Sequence, residues 1–373
     1  GYLKLLDKSK KVYDVGFKKL VHRPFTRISD MIKQIPALLM LKSYKSVSQM
    51  VNSHLKHPLI RQAFSIHPLL VGGNPFKTTA IYTLIHYLER RWGIFFCMGG
   101  TGKLVEELGA LMERHGINIV LNADVDEILL ANKKATGVRL SDNKTINADL
   151  IVFGGDPETC YQHLLPKRKF SLPASIKKQY SMGLYVLYFG TKKLYPDVAH
   201  HSIWMGPRFK ELLSEIFDNK QMSEDFSLYL HRPTATDKSF APDGCESFYV
   251  LCPVPNLQGD VDWSTEAERL RDRIITALEE TILPELSSVI EEVFWMTPED
   301  FASDYRSMHG AGFSIEPRLT QSAWFRYHNR DRAITNLHFV GAGTHPGAGL
   351  PGVISSAKVV QELLTGDEVG SGG

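Results

Sequence analysis

The residues whose types and spacing are best suited to chemistry lie in LHFVGAGTHPGAGLPGVISSAKVVQELL, residues 337–364. A short apolar strand, Leu337 to Val340, runs into five glycines within twelve residues, Gly341, Gly343, Gly347, Gly349 and Gly352. An apolar-periodic helix is predicted from near Val353 to Gly366. Glycines open backbone conformations closed to other residues and let a bulky ligand approach the main chain. The first free amides of the following helix favour an anionic or electron-rich group. Residues 347–352, GAGLPG, also fit G-x-G-x-x-G. That match alone is weak, because a dinucleotide-binding βαβ unit needs a second strand and an acidic residue ~20 positions further on. The sequence instead runs into a polar, Gly-rich tail ending at Gly373. The loop is therefore expected to close over the ring and ribityl part of a cofactor held elsewhere, not to be the adenosine half of a site. A Gly-rich turn without a ligand is the competing reading.

Other chemistries find less support. GGTGKL at 99–104 fails the P-loop spacing, and Leu104 stands where Mg²⁺ needs a hydroxyl. His200 and His201 are adjacent and are expected to point apart on a strand, and no H-E-x-x-H occurs, so no metal site is expected. Cys97, Cys160, Cys245 and Cys252 are scattered without a C-x-x-C pair, which points to a reducing compartment.

A chain of 373 residues with 43% hydrophobic and 23% charged residues is expected to form two domains or one large α/β body. No apolar run reaches the ~18 residues of a membrane span. The net charge is only +2, but residues 1–57 carry twelve Lys or Arg against three Asp, a local +9 suited to an anionic surface. The sequence opens at Gly1 inside an apparent helix, and a preceding portion is expected to be missing.

The elements that must position the glycine loop follow from periodicity. Helices are predicted over 2–20, over 28–44 with a kink at Pro36, over 46–66 and over 79–91. The 28–44 stretch is basic and amphipathic, as in helices that lie in a membrane interface, although a surface helix reads the same way. Residues 93–125 read as strand, Gly-rich turn, helix, strand, with Leu104, Val105, Leu108, Leu111 and Met112 on one helix face. Short strands at 125–130, 135–140, 144–148 and 150–153 follow, the last ending in GGD. Runs 181–190, 224–233 and 246–255 are β-type and apolar on both alternating faces in places. Such a sheet is covered on one side and either packs or lines a ligand cavity on the other. Thr265 with Glu268 reads as a capping box for a helix over 266–282.

VGAGTHPGAGLPGVISSAK, QSAWFRYHNRDRAITNL, AFSIHPLLVGGNPF, AIYTLIHYLE, GGTGKLVEEL and DFSLYLHRPTATDKS together resemble the bacterial phytoene desaturase family, and closely its lycopene-forming members. The resemblance runs from about Gly1 to Leu364. It implies an FAD-dependent CH–CH oxidoreductase that desaturates phytoene toward lycopene, passing hydride from a C40 polyene to flavin and electrons on to oxygen or a quinone. The implied fold is α/β, of the amine oxidase and protoporphyrinogen oxidase flavoprotein type, without the first βαβ nucleotide-binding unit and with an α+β substrate domain. The implied division is 1–92 substrate and membrane contact, 93–158 FAD binding, 159–330 substrate sheet, 331–365 FAD binding and 366–373 flexible tail. Peripheral attachment to the cytoplasmic side of the cell membrane is implied, and no nucleic-acid partner. The family's N-terminal G-x-G-x-x-G has no counterpart here.

Carried over by position, Gly341, Gly343, Gly347, Gly349, Gly352 and Val353 should face the flavin and ribityl chain. Val125 should meet the adenine, with Gly154, Gly155 and Asp156 near the adenosine end. The suggested acid/base carboxylate falls on Asp30, with Lys33 where close relatives carry Arg, and Gly312 stands where a small apolar side chain is usual. Two other readings remain open: a sister carotenoid desaturase or isomerase with a different product, and a flavin-free body that binds apolar ligands or membrane.

Overall fold

The computed structural model describes residues 1–166 and 178–370, with side chains to residue 366. Helices α1 (Tyr2–Val15), α2 (Ile28–Ile32), α3 (Ile35–Met40), α4 (Val47–Asn52), α5 (Pro58–Ala63) and α6 (Leu84–Trp92) form the first part. The chain breaks at Lys33–Gln34, just before Pro36, which occupies the opening turn of α3 where its missing amide costs nothing. The single helix predicted over 46–66 is two, because Pro58 starts α5 and disfavours helix in the residue before it. Leu5, Val47, Met50 and Val51 close the core of this part.

Helix α7 (Gly100–Arg114) forms as predicted, but no described strand pairs with 93–98 or 117–121. A strand exists through its ladder partners, and these segments have none among the described residues. Their apolar residues Phe95, Val120 and Leu121 are exposed, as are Val105, Leu108 and Leu111 of α7. The Asp237 carboxylate accepts the Gly99 amide at 2.8 Å. A negative group thus sits at the start of α7, where the helix dipole favours it.

Strands β1 (Val125–Ala131), β2 (Lys134–Leu140) and β3 (Thr145–Asn147) make an antiparallel meander. Strand β4 (Ile151–Phe153) instead pairs in parallel with β10 (Leu337–Phe339), bringing chain segments almost 190 residues apart into register, Phe153 opposite Phe339. Ile128, Cys160, Leu164, Leu337 and Phe339 form the core beneath them.

The main sheet is antiparallel in the order β6-β7-β8-β5-β9. Its strands are β5 (Gly183–Thr191), β6 (His201–Trp204), β7 (Leu228–His231), β8 (Glu246–Val254) and β9 (Ile290–Met296). Both faces are apolar; one is covered by a long helix and the other in part, with Ile203 and Phe294 left exposed. Tyr185, Leu187 and Phe189 pack under the helix Trp263–Thr281, while Leu184 and Val186 meet Phe209, Leu212 and Phe217. That long helix is capped by Asp262, whose carboxylate accepts the Ser264 amide at 3.1 Å, and not by the predicted Thr265/Glu268 box. The Thr265 hydroxyl donates back to Asp262 and so serves the same cap.

Two further expectations are corrected. His200 and His201 do not point apart: their rings lie 4.3 Å apart at 24°. His200 sits in a bend just before β6, outside the regular pleat that alternates side chains. The last helix spans Leu350–Gly370, through the predicted tail at 366–370, because Gly366 lowers helix propensity without forbidding the helix. Residues 371–373 lie outside the described residues.

Candidate functional site

The parallel pair β4–β10 ends in two glycine turns side by side. A Cβ on Gly341 would lie 3.0 Å from the Gly154 carbonyl oxygen, and one on Gly343 would overlap Pro157 Cδ at 2.3 Å. Side chains there would force the turns apart. The crevice beyond the carboxyl ends of parallel strands is where α/β sheets take their ligands.

On one side of this crevice is a cleft of about 570 Å³, lined by Val125, Phe153, Gly155, Asp156, Arg306 and His309 among others. Three predicted residues, Val125, Gly155 and Asp156, thus meet in one place. Asp156 Oδ1 accepts the Glu158 amide at 3.0 Å, whereas Oδ2 is buried without a well-formed hydrogen bond. Burial raises the Asp156 pKa, opposed by the Glu158 amide and the nearby Ser314 hydroxyl. An incompletely satisfied buried carboxylate facing a cleft favours a ligand that brings hydrogen-bond donors.

On the other side, the loop 341–349 folds back so that the Gly347 carbonyl oxygen would lie 2.5 Å from a Cβ on Gly352. Gly349 has φ +93°, a conformation that favours glycine. The Val353 amide donates to the Gly349 carbonyl at 2.9 Å, so the unbonded helix-start amides belong to Leu350 and Gly352, not Val353. Gly349 and Gly352 floor an apolar cavity of about 200 Å³, walled by Phe17, Leu20, Met31, Leu38, Val71 and Ile85 among others. A second apolar cavity, about 120 Å³, lies between Leu69 and Leu70 and the sheet residues Leu184, Tyr229 and Leu251. Both cavities touch the turn His67–Val71.

Asp30 is placed differently from the glycines. Its Oδ2 accepts the Arg27 amide at 3.0 Å, closing the first turn of α2, while Met31 and Gln34 beside it line the cavity. Lys33 is exposed. A Cβ on Gly312 would lie 2.8 Å from Leu184 Cδ1, which accounts for glycine at that position.

Sequence reasoning missed Arg326, Tyr82 and His345. Arg326 is 3% exposed and has no carboxylate partner among the described ion pairs. Its guanidinium donates to the carbonyls of Ala342 (2.6 Å) and Thr344 (2.9 Å), and more weakly to those of Ile315 and Gln321. Asn329 adds a bond to the His345 carbonyl at 2.8 Å. By drawing carbonyls inward, these side chains fix the glycine loop from below. Desolvation lowers the Arg326 pKa, opposed by Tyr82, Asp156 and Tyr327. Burial pushes the His345 imidazole, which lines the apolar cavity, down to about 4. The lone Arg in the aromatic run WFRYH was the available signal, but nothing in it distinguishes a loop anchor from a surface cation.

Among the described residues no helix is long and apolar enough to cross a membrane. No family model matches the chain. Solved structures share its fold: putrescine oxidase with putrescine bound aligns at a TM-score of 0.58 with 12% identity, over 99% of this chain and 75% of that one. An oxidoreductase from Methanosarcina mazei aligns at 0.56 with 17% identity, over 89% and 72%. The architecture is thus the flavoprotein fold of amine oxidase type expected from the sequence. A lycopene-forming phytoene desaturase of Paracoccus sp. is 48% identical over 98% of this chain and 74% of its own length. That of Pantoea ananas is 46% identical over 98% and 75%, and a neurosporene-forming phytoene desaturase of Rhodobacter capsulatus 41% over 98% and 71%. At this identity and coverage, the chain belongs to the phytoene desaturase family.

Proposed function

We propose that this chain desaturates phytoene toward lycopene as an FAD-dependent oxidoreductase. The observation that carries the reading is the apolar cavity floored by Gly349 and Gly352, together with relatives named as lycopene-forming phytoene desaturases. A C40 polyene has no polar handle, so its binding rests on apolar burial, roughly 25 cal/mol per Å².

The residues present fit FAD. Val125, Gly155 and Asp156 would hold the adenosine end, where the underbonded carboxylate favours donors such as ribose hydroxyls. Gly154, Gly341 and Gly343 keep the two turns close, and Gly347, Gly349 and Gly352 leave room for a flat ring. Bound FAD supplies two-electron acceptance. Arg326 holds the Ala342 and Thr344 carbonyls inward and so steadies the loop that carries the cavity floor. Phe17, Leu20, Met31 and Leu38 exclude water and hold a C–H bond against that floor. Asp30 takes up the released proton in this reading, for which it leaves its helix cap, and Val353 supports the loop through the Gly349 carbonyl. Oxygen or a quinone accepts the electrons.

The helices α2 and α3 are apolar on both sides: Met31 and Leu38 face the cavity, while Ile28, Ile32, Ile35, Leu39 and Met40 are exposed. With Arg27, Lys33 and Lys42 nearby, this surface suits an anionic lipid interface, through which a polyene reaches the cavity without crossing water. Docking at the cytoplasmic face of the cell membrane is part of the proposal.

The test is the visible spectrum of the chain after incubation with FAD and desalting, alone and preceded by a G-x-G-x-x-G unit, followed by phytoene conversion in liposomes. Retained flavin with lycopene formation supports the reading. Flavin without lycopene, but with neurosporene, moves the chain toward its neurosporene-forming relatives. Failure of both forms to retain flavin overturns the redox reading in favour of an apolar-ligand body.

A further inference from the structure

His200, His201 and His231 come together at the β6 edge of the main sheet, and no part of the proposed reaction uses them. Their ligating nitrogens all lie within 4.8 Å of one another. The geometry points to a transition-metal site in which these three imidazoles bind one Zn²⁺-class ion, with a fourth position left for water.

The arrangement has features that a chance cluster lacks. His200 Nε2 lies 2.7 Å from His231 Nε2, so both face the same point. The remaining nitrogen of His200, Nδ1, meets the Thr236 hydroxyl at 2.5 Å, and His201 Nδ1 meets the Tyr229 hydroxyl at 2.7 Å. Outer partners of this kind fix ring orientation around a bound metal. They leave the Nε2 atoms of both rings for coordination. His231 is buried with Nδ1 unpartnered, and Phe96 packs edge-on against His200 at 4.7 Å as an apolar wall. The neighbouring Arg232 faces the Glu246 carboxylate, with Nε 3.5 Å from Oε2, which tempers its repulsion of an incoming ion.

Three neutral imidazoles suit Zn²⁺, Cu²⁺ or Ni²⁺ and not Mg²⁺ or Ca²⁺. Two nitrogens on one tetrahedral zinc sit about 3.3 Å apart, given bonds of roughly 2.0–2.1 Å. Binding therefore parts the His200–His231 pair by about half an ångström and swings the exposed His201 ring inward. The ion cross-links the edge strand β6 to its neighbour β7, pinning the end of the sheet.

The test uses the untagged chain, stripped with chelator, titrated with Zn²⁺ by calorimetry and with Co²⁺ by visible absorbance. One ion per chain is expected, with the intense d–d bands of a low-coordinate site. His201→Gln, at an exposed position that spares the fold, weakens binding at least tenfold, and His200→Gln with His231→Gln abolishes it. Thr236→Val weakens it roughly 10-fold or more through ring orientation alone. His67→Gln with Glu89→Gln, in the other His-rich cluster of the described residues, leaves it unchanged. The proposal is overturned if no ion binds, if His201→Gln retains full affinity, or if binding is lost only with the His67/Glu89 pair. In those cases the trio is a hydrogen-bonded imidazole ladder.

Discussion

Replacing Arg326 by lysine isolates what the buried guanidinium does for the glycine loop. The charge stays, but the planar fork is lost, and an ammonium at the end of a flexible stem cannot serve the same four carbonyls. The bonds to Ala342 and Thr344, at 2.6 and 2.9 Å, are the strong ones; those to Ile315 and Gln321, at 3.3 and 3.4 Å, are marginal. A hydrogen bond from a charged donor contributes about 1.5–3 kcal/mol net. Losing one strong bond and both weak ones therefore costs the loop about 2–4 kcal/mol of local stability. At about 1.4 kcal/mol per decade, amide exchange across 341–349 should quicken roughly 30- to 1000-fold, while exchange in β5 and β8, remote from the loop, stays unchanged. Hydrogen exchange read by mass spectrometry resolves this without any assay of turnover. Arg326→Met removes the charge as well and relieves its desolvation, so global stability should fall less than loop protection does. Loop exchange within threefold of the wild type in Arg326→Lys would refute the anchoring argument.

Other perturbations probe separate parts of the site. Asp30→Asn keeps an acceptor for the Arg27 amide but removes the base, so an acid/base role predicts activity down at least 100-fold with the melting temperature held; full activity would leave Asp30 as a helix cap alone. Gly349→Val adds bulk where even a Cβ would lie 3.3 Å from Val71 and φ is +93°, at a cost of about 1–3 kcal/mol; product formation should vanish, as checked by chromatography beside a urea melt. Ile32→Glu with Leu39→Glu should release the chain from anionic liposomes in a sedimentation assay, whereas unchanged binding would remove α2 and α3 from the membrane surface. Burial pushes His345 down to about 4, with Arg326 and His328 adding to the effect, and His86 down to about 3, beside His67. Both fold neutral and bind protons near 6.5 when unfolded, so their contribution is full above that pH. Each then loses up to about 1.4 kcal/mol per pH unit as pH falls toward its folded value. Urea midpoints should drop between pH 6.5 and 4.5, and His345→Gln should flatten that slope.

The sequence by itself determined what local patterns dictate. The strand, glycine loop and helix of 337–364 were legible because glycine spacing and apolar periodicity are chain-local. So were β5 and β8, whose apolar residues fill both faces. Motif order over nearly the whole chain was enough to place it in its family. Only the tertiary structure decided which segments become strands: β6 and β9 are short or carry glutamates, and they form because their neighbours' backbones offer ladders, Met296 opposite Val186 and His201 opposite His231. Residues 93–98 and 117–121 show the converse, since strand-like composition without a described partner gave no strand. The site divides in the same way. The glycines were visible as residue types, but Arg326 becomes an anchor only when residues 326 and 342–344 are packed together. The histidine cluster joins 201 to 231 through strand register and brings in 200 by a bend just before β6, which no spacing rule encodes. Long-range backbone pairing sets which side chains meet, and that information belongs to the folded chain as a whole.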